Sequence, residues 1–179
     1  MKVSREQMLE NRRRILEAAS RLFRDKGVAA VTVAEVMKAA GLTHGGFYGH
    51  FQSKDELVAW TVEHALAANL AGEVELAEFA RSYLSPRHRD ERAGGCATVA
   101  LGPETIRQTP EARAAMTRGL RRQIERLART APGADEAARR QAAIGSWAAM
   151  VGALLLARIS DDSDLAEEIL GETKAWIER

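Results

Sequence analysis

The sequence predicts an all-α fold, and three observations carry that prediction. Apolar residues recur at helical spacing along most of the 179 residues, and no stretch alternates like a strand for long. Three capping boxes (Ser4-Gln7, Thr32-Glu35 and Ser53-Glu56) fall between residues 4 and 56, each able to start a helix. Glycine and proline then divide the remainder into helix-length pieces. Nine helices and no sheet result, with a three-helix N-terminal unit ahead of a larger helical region.

The first helix starts at Ser4, carries Met8, Ile15, Ala18, Ala19, Leu22 and Phe23 on one face, and stops at Gly27. Arg24 and Lys26 complement the negative end of its dipole. Thr32 opens a second helix with Val33, Val36, Met37 and Ala40 facing inward, Gly41 stops it, and Leu42 packs back as a plug. Thr43 is placed to cap a short helix from His44 to about residue 51. Ser53 starts a fourth, running to roughly residue 70. A helix follows over about 73–84, ended by Ser85-Pro86, and the charged stretch 86–95, closing in Gly94-Gly95, reads as a loop. A short helix begins near Cys96 and is interrupted at Gly102-Pro103. Pro110 stands at the first position of the next, to about residue 130. Two long helices, about 135–159 and 163–177, complete the chain.

Bulk properties narrow the function. Hydrophobic residues make up 46%, enough for a packed core, and the formal net charge is +1. Residues 1–56 hold 10 Lys/Arg against 7 Asp/Glu, a surplus of three, with His44 and His50 besides. That modest basicity suits phosphate contact. One cysteine excludes an internal disulfide framework and a multi-Cys zinc site. The N-terminus is polar, without the pattern of a signal peptide, and the longest apolar run, 147–157, is short of the ~20 residues that span a bilayer. A cytoplasmic protein without membrane partners is expected. His44, His50, His64 and His88 form no trusted metal-ligand spacing, and no nucleophile motif is present. No enzyme activity, metal or cofactor is expected.

Residues 27–56 read GVAAVTVAEVMKAAGLTHGGFYGHFQSKDE. Two short amphipathic helices joined by a tight glycine turn suit a helix-turn-helix that lays its second helix in the major groove of DNA. Phe47 and Phe51, four apart, face the core, which turns Tyr48 outward, its hydroxyl offered to a phosphate; the other reading makes Tyr48 core filler. Thr32 caps its helix and leaves its hydroxyl and N–H for a phosphate. Thr43 and His44 stand where base edges come within reach. Gly45 and Gly46 cost a helix about 1 kcal/mol each against alanine. Close approach of backbone to duplex accounts for that cost, and so does a short helix held only by tertiary packing. His50 fits a phosphate contact and a structural hydrogen bond equally, and Lys54 fits a phosphate contact or a solvated surface. Only some of Arg12, Arg13 and Arg14 can face DNA.

The string TVAEVMKAAGLTHGGFYGHFQSKDELV resembles the helix-turn-helix of TetR-family transcriptional regulators over residues 10 to about 60. The Thr-hydrophobic opening, the Ala-Gly-hydrophobic turn, the aromatic-Tyr-x-His-Phe cluster and the Lys-Asp-Glu-Leu start of the fourth helix are all present. Gly49 departs from the bulkier residue usual in that family. The resemblance implies a DNA-binding domain over 8–60, with its helix-turn-helix at 32–51, and an effector-binding and dimerisation domain over 61–179. It also makes Lys54 a phosphate contact. It implies a homodimer on a palindromic operator, its recognition helices about 34–36 Å apart, and a repressor released by a small, largely apolar organic effector. Trp60, His64, Tyr83, Cys96, Val99, Met116 and Trp147 are the candidates for that effector's pocket. Helices 135–159 and 163–177 are too apolar for lone surface helices. A four-helix bundle with a second chain covers them, as does burial within one chain. Cys96, after two glycines at a helix start, is either a reactive sensor or a plain buried cysteine.

Overall fold

A computed structural model describes residues 4–67 and 72–179, and these residues are helical with no strand among them. The chain forms two units. The first is Met1–Asn69 with Ala100–Gly119; the second is Leu70–Val99 with Leu120–Arg179. The division is therefore not a single cut in the sequence.

In the first unit, α1 (Arg5–Lys26) begins where the Ser4 hydroxyl accepts the Gln7 N–H at 3.1 Å. The Gln7 side chain goes forward to Asn11, so only half of this capping box forms. Its buried face runs from Ile15 through Ala19 to Phe23, whereas Met8 is exposed, so the apolar stripe starts later than the spacing predicts. Around α2 (Val33–Ala39) the box is complete: Glu35 N–H donates to Thr32 Oγ1 at 3.2 Å, and Thr32 N–H to the Glu35 carboxylate at 2.8 Å. Val36, Met37 and Ala40 are buried as expected. Gly41 then turns the chain at φ +68°, where a Cβ would stand 2.6 Å from the Arg14 guanidinium. That guanidinium donates to the Ala40 carbonyl, tying α1 to the turn.

The next element, His44–Gly49, is a 3-10 helix. Its bonds run three residues back, Gly46 N–H to the Thr43 carbonyl at 3.0 Å and His50 N–H to the Phe47 carbonyl at 2.8 Å. Three glycines in six residues leave little intrinsic preference for an α-helix. Contrary to the expectation, the Thr43 side chain makes no cap. α3 (Lys54–Ala67) is capped by Ser53, and Glu56 reaches back to the Gln52 N–H at 2.6 Å, one residue earlier than in a standard box. Its expected end near residue 70 lies outside the described residues. Gly119 on α7 (Pro110–Ala128) allows close approach to α3, since a Cβ there would meet Leu66 at 2.4 Å.

The second unit is built on α4 (Leu76–Tyr83), α8 (Glu136–Ile159) and α9 (Ser163–Ile177), around a core that includes Tyr83, Leu127, Trp147, Met150, Leu154 and Leu170. α6 (Ala97–Thr105) and α7 contribute residues to both units. Two expectations fail here. The stretch after residue 85 is not all loop: α5 (Pro86–Asp90) forms, with Ser85 as N-cap and Pro86 in the first turn. Ser85-Pro86 starts a helix as well as ending one. And α6 is not interrupted at Gly102-Pro103, because Pro103 sits in the last turn, where it costs a single bond toward Val99. α8, at 24 residues, is long and apolar enough by composition to cross a membrane, more than the uninterrupted run suggests. Seven of its residues, Trp147 and Met150 among them, are nonetheless buried in the protein.

His88 on α5 joins two elements of this unit. One ring nitrogen, Nδ1, lies 2.8 Å from the Tyr83 carbonyl, and Nε2 lies 3.0 Å from the Cys96 amide nitrogen. A carbonyl cannot donate and an amide N–H cannot accept. The proton is therefore on Nδ1, and the ring must be neutral. Burial, followed by the nearby Arg158 charge, holds the His88 pKa below its ordinary value. A depressed histidine contributes stability that is present above the unfolded pKa near 6.5 and is lost as pH falls below it. The denaturation midpoint is thus expected to fall between pH 7 and 5 more steeply for the wild type than for His88→Gln, the difference reaching at most about 1.4 kcal/mol per pH unit for one proton. Equal slopes would remove His88 from the account.

Candidate nucleic-acid interface

The 3-10 segment has two faces. Phe47 and Phe51 are each 1% exposed and stack at 5.7 Å between centroids. Tyr48, between them in sequence, is 72% exposed and rests edge-on against Phe47 at 5.3 Å. Thr43, His44, Gly45 and Gly46 are exposed on the same stretch. A Cβ added at Gly45 or at Gly49 would meet nothing within 4 Å, and one at Gly46 would make only ordinary contacts, at 3.7 Å, with Met37 and Thr43. Nothing inside the chain demands glycine at these three positions, although glycine lowers the segment's own stability.

The flanking groups are partly committed. Thr32 is not free as expected: its N–H and its hydroxyl both donate to the Glu35 carboxylate, at 2.8 and 2.9 Å. Those bonds, the backbone one first, hold Glu35 below the usual carboxylate pKa. His50 is half-buried. Desolvation, then the Arg12 charge, keeps its pKa low, so its ring is neutral near pH 7. Its carbonyl accepts a bond from Arg12. Lys54 is half-buried at the start of α3.

The arginine run of α1 divides by role. Arg12 lies over the rings of Phe51 at 4.2 Å and Trp60 at 4.8 Å, so it braces the segment from behind. Arg14 holds the Ala40 turn. Arg13 pairs with Glu10 and Glu17 at the surface. The arginine run alone does not signal this bracing, which needs Arg12 beside two rings distant in sequence.

The seven residues expected around an effector fall into two groups. Trp60, His64 and Met116 belong to the first unit. Trp60 is 47% exposed and lines a surface recess of about 380 Å3 with Glu56, Glu63 and Arg118. Tyr83, Cys96, Val99 and Trp147 do come together, in the core of the second unit. Tyr83 and Trp147 meet edge to face at 5.4 Å. Both are more than nine-tenths buried, and among the described residues neither the Tyr83 hydroxyl nor the Trp147 Nε1 has a hydrogen-bond partner. The hydroxyl lies beside the Cys96 thiol without reaching hydrogen-bond geometry, and burial, with that thiol, pushes the Tyr83 pKa up. Among the described residues no three His, Cys, Asp or Glu are grouped to hold a metal.

Residues 15–59 match the model of bacterial regulatory proteins of the tetR family. Two curated regulators match part of the chain. The transcriptional regulator AcrR of Shigella flexneri is 38% identical over 73 residues, covering 41% of this chain and 33% of its own. TtgR of Pseudomonas putida is 46% identical over 55 residues, covering 31% and 26%. This segment is similar to the TetR family of regulators. The aligned part spans a quarter to a third of these relatives' length. Solved structures extend the likeness in fold to nearly the whole chain. E. coli NemR in its reduced form superposes with a TM-score of 0.75 at 24% identity, over 93% of this chain and 94% of that one. A TetR-family regulator from Cytophaga hutchinsonii gives 0.74 at 18%, over 99% and 97%.

Proposed function

We propose that this protein is a TetR-family, sequence-specific DNA-binding transcription regulator, a homodimeric repressor released from a palindromic operator by a small organic effector. The observation that carries the reading is the two-faced segment 43–51, anchored by Phe47 and Phe51 and exposing Tyr48 beside a surface clear of side chains at Gly45, Gly46 and Gly49. A bare backbone lets the segment approach base edges closely, and Thr43 and His44 reach them. Tyr48, Lys54 and the neutral His50 give hydrogen bonds or charge to phosphates. Thr32 joins them only where a phosphate displaces the Glu35 carboxylate.

The dimer reading rests on α8 and α9. Ile144, Leu155, Leu156 and Ile159 on α8 are exposed, as are Leu165 and Trp176 on α9. Two such helices from each of two chains bury this surface in a four-helix bundle. The effector reading rests on Tyr83 and Trp147, whose unpaired donors in an apolar setting suit a mostly apolar ligand with an oxygen acceptor.

Tyr48→Phe and Lys54→Ala are each expected to weaken binding by about tenfold, the loss of one or two phosphate contacts. The assay is fluorescence anisotropy with tiled duplexes from the DNA flanking the gene. Unchanged affinity in both, with the dimer intact, would take the 43–54 surface out of the interface.

A further inference from the structure

We infer that Glu104 is a positioning residue for the DNA-reading module, holding the turn between α1 and α2 from α6; this rests on the reading of residues 32–54 as a DNA interface. Its carboxylate accepts the Val28 N–H at 2.8 Å, a bond between residues 76 apart in sequence. Val28 is buried and the bond partly so, which leaves its amide little water to fall back on. Gly27, immediately before it, is at φ +84°, and a Cβ there would stand 2.9 Å from Glu104 Oε1. The turn is thus shaped around this carboxylate in two ways, by an amide aimed at it and by the side chain missing beside it.

The electrostatics sharpen the point. Gly27 ends α1, and the C-terminal end of a helix disfavours a carboxylate. Arg24 and Lys26 in the last turn of α1 ease that conflict, but the hydrogen bond to Val28 is what gives the carboxylate a use there. Residues 28–31 lead directly to Thr32 and α2, whose C-terminal turn sets the start of the 3-10 segment. Val28 and Val31 are both buried, so the turn has little independent freedom once Glu104 holds its amide. Glu104 itself does not belong to the face that carries Tyr48, and its negative charge would repel a phosphate. Any loss of affinity on removing it must come through geometry.

The test uses the full-length protein and three readouts: exchange of the Val28 amide, affinity for the tiled flanking duplexes, and the salt dependence of that affinity. In Glu104→Ala the Val28 amide is expected to exchange at least about tenfold faster. DNA affinity should fall by about fivefold or more even though a negative charge has been removed, with the salt slope unchanged because no phosphate contact is deleted. Glu104→Gln keeps an oxygen for Val28 and should match the wild type in exchange and bind DNA equally or slightly more tightly. Unaltered Val28 exchange in the alanine variant, or unaltered affinity where the wild type binds with a steep salt slope, overturns the proposal. So does a glutamine variant that behaves like alanine. A wild type that binds no duplex defeats the DNA reading and this proposal with it, and Val28 exchange then reports separately whether the tie exists.

Discussion

Phe47→Ala should abolish operator binding while leaving the second unit folded. The ring is 1% exposed, stacked on Phe51 and met edge-on by Tyr48. Replacing a buried phenylalanine by alanine costs about 3–5 kcal/mol. That is a large part of the ~5–15 kcal/mol that holds a domain together. The loss falls on a segment with little else in its favour: six residues, three of them glycine, in 3-10 geometry, with no side-chain cap at Thr43. Without the ring, Tyr48 and His44 have no fixed platform. The expected outcome is a loss of anisotropy signal at all accessible protein concentrations, with far-UV circular dichroism retaining most of its helical amplitude. Binding within about twofold of wild type would mean that the segment's hydrophobic side is not its anchor, since even a 1.4 kcal/mol change is tenfold.

Leu155→Glu is expected to convert the protein to a monomer and to cost operator affinity about a hundredfold or more, because each half-site would then be bound alone. Leu155 is 37% exposed on α8, on the same side as Ile144 and Ile159. In an isologous interface the same residue enters from both chains, so one substitution places two carboxylates in an apolar seam. Each would be desolvated without a partner, at a cost of several kcal/mol. Within one chain the position is open enough for glutamate to stay solvated, so the monomer should remain folded. Sedimentation velocity separates the outcomes. A variant that sediments like the wild type would move the dimer seam away from this face.

Much of this could be read in the sequence where the signal was local. The Thr32-Glu35 box, the Gly41 stop and the outward Tyr48 each depend on residues within a few positions of one another, and each is found as read. The failures came from two sources. Ser85-Pro86 and Gly102-Pro103 read locally as breaks, although proline in a first turn starts a helix and proline in a last turn leaves it largely intact. Residue type alone makes Thr43 a cap and leaves Thr32 free, while the partner that decides their chemistry, Glu35 for Thr32 and no side-chain cap bond for Thr43, depends on the helix geometry that forms. The long-range ties were not visible at all: Arg12 over Phe51 and Trp60, His88 between Tyr83 and Cys96, and Glu104 on Val28 join residues whose proximity only the fold creates.

The open space beside Gly45 and Gly49 sets two aims of protein engineering against each other. A selection for heat resistance would favour alanine at both, since the chain has room for a methyl group and a helix gains from it. Hardier proteins obtained that way would carry two added bumps on the surface proposed to lie against a duplex.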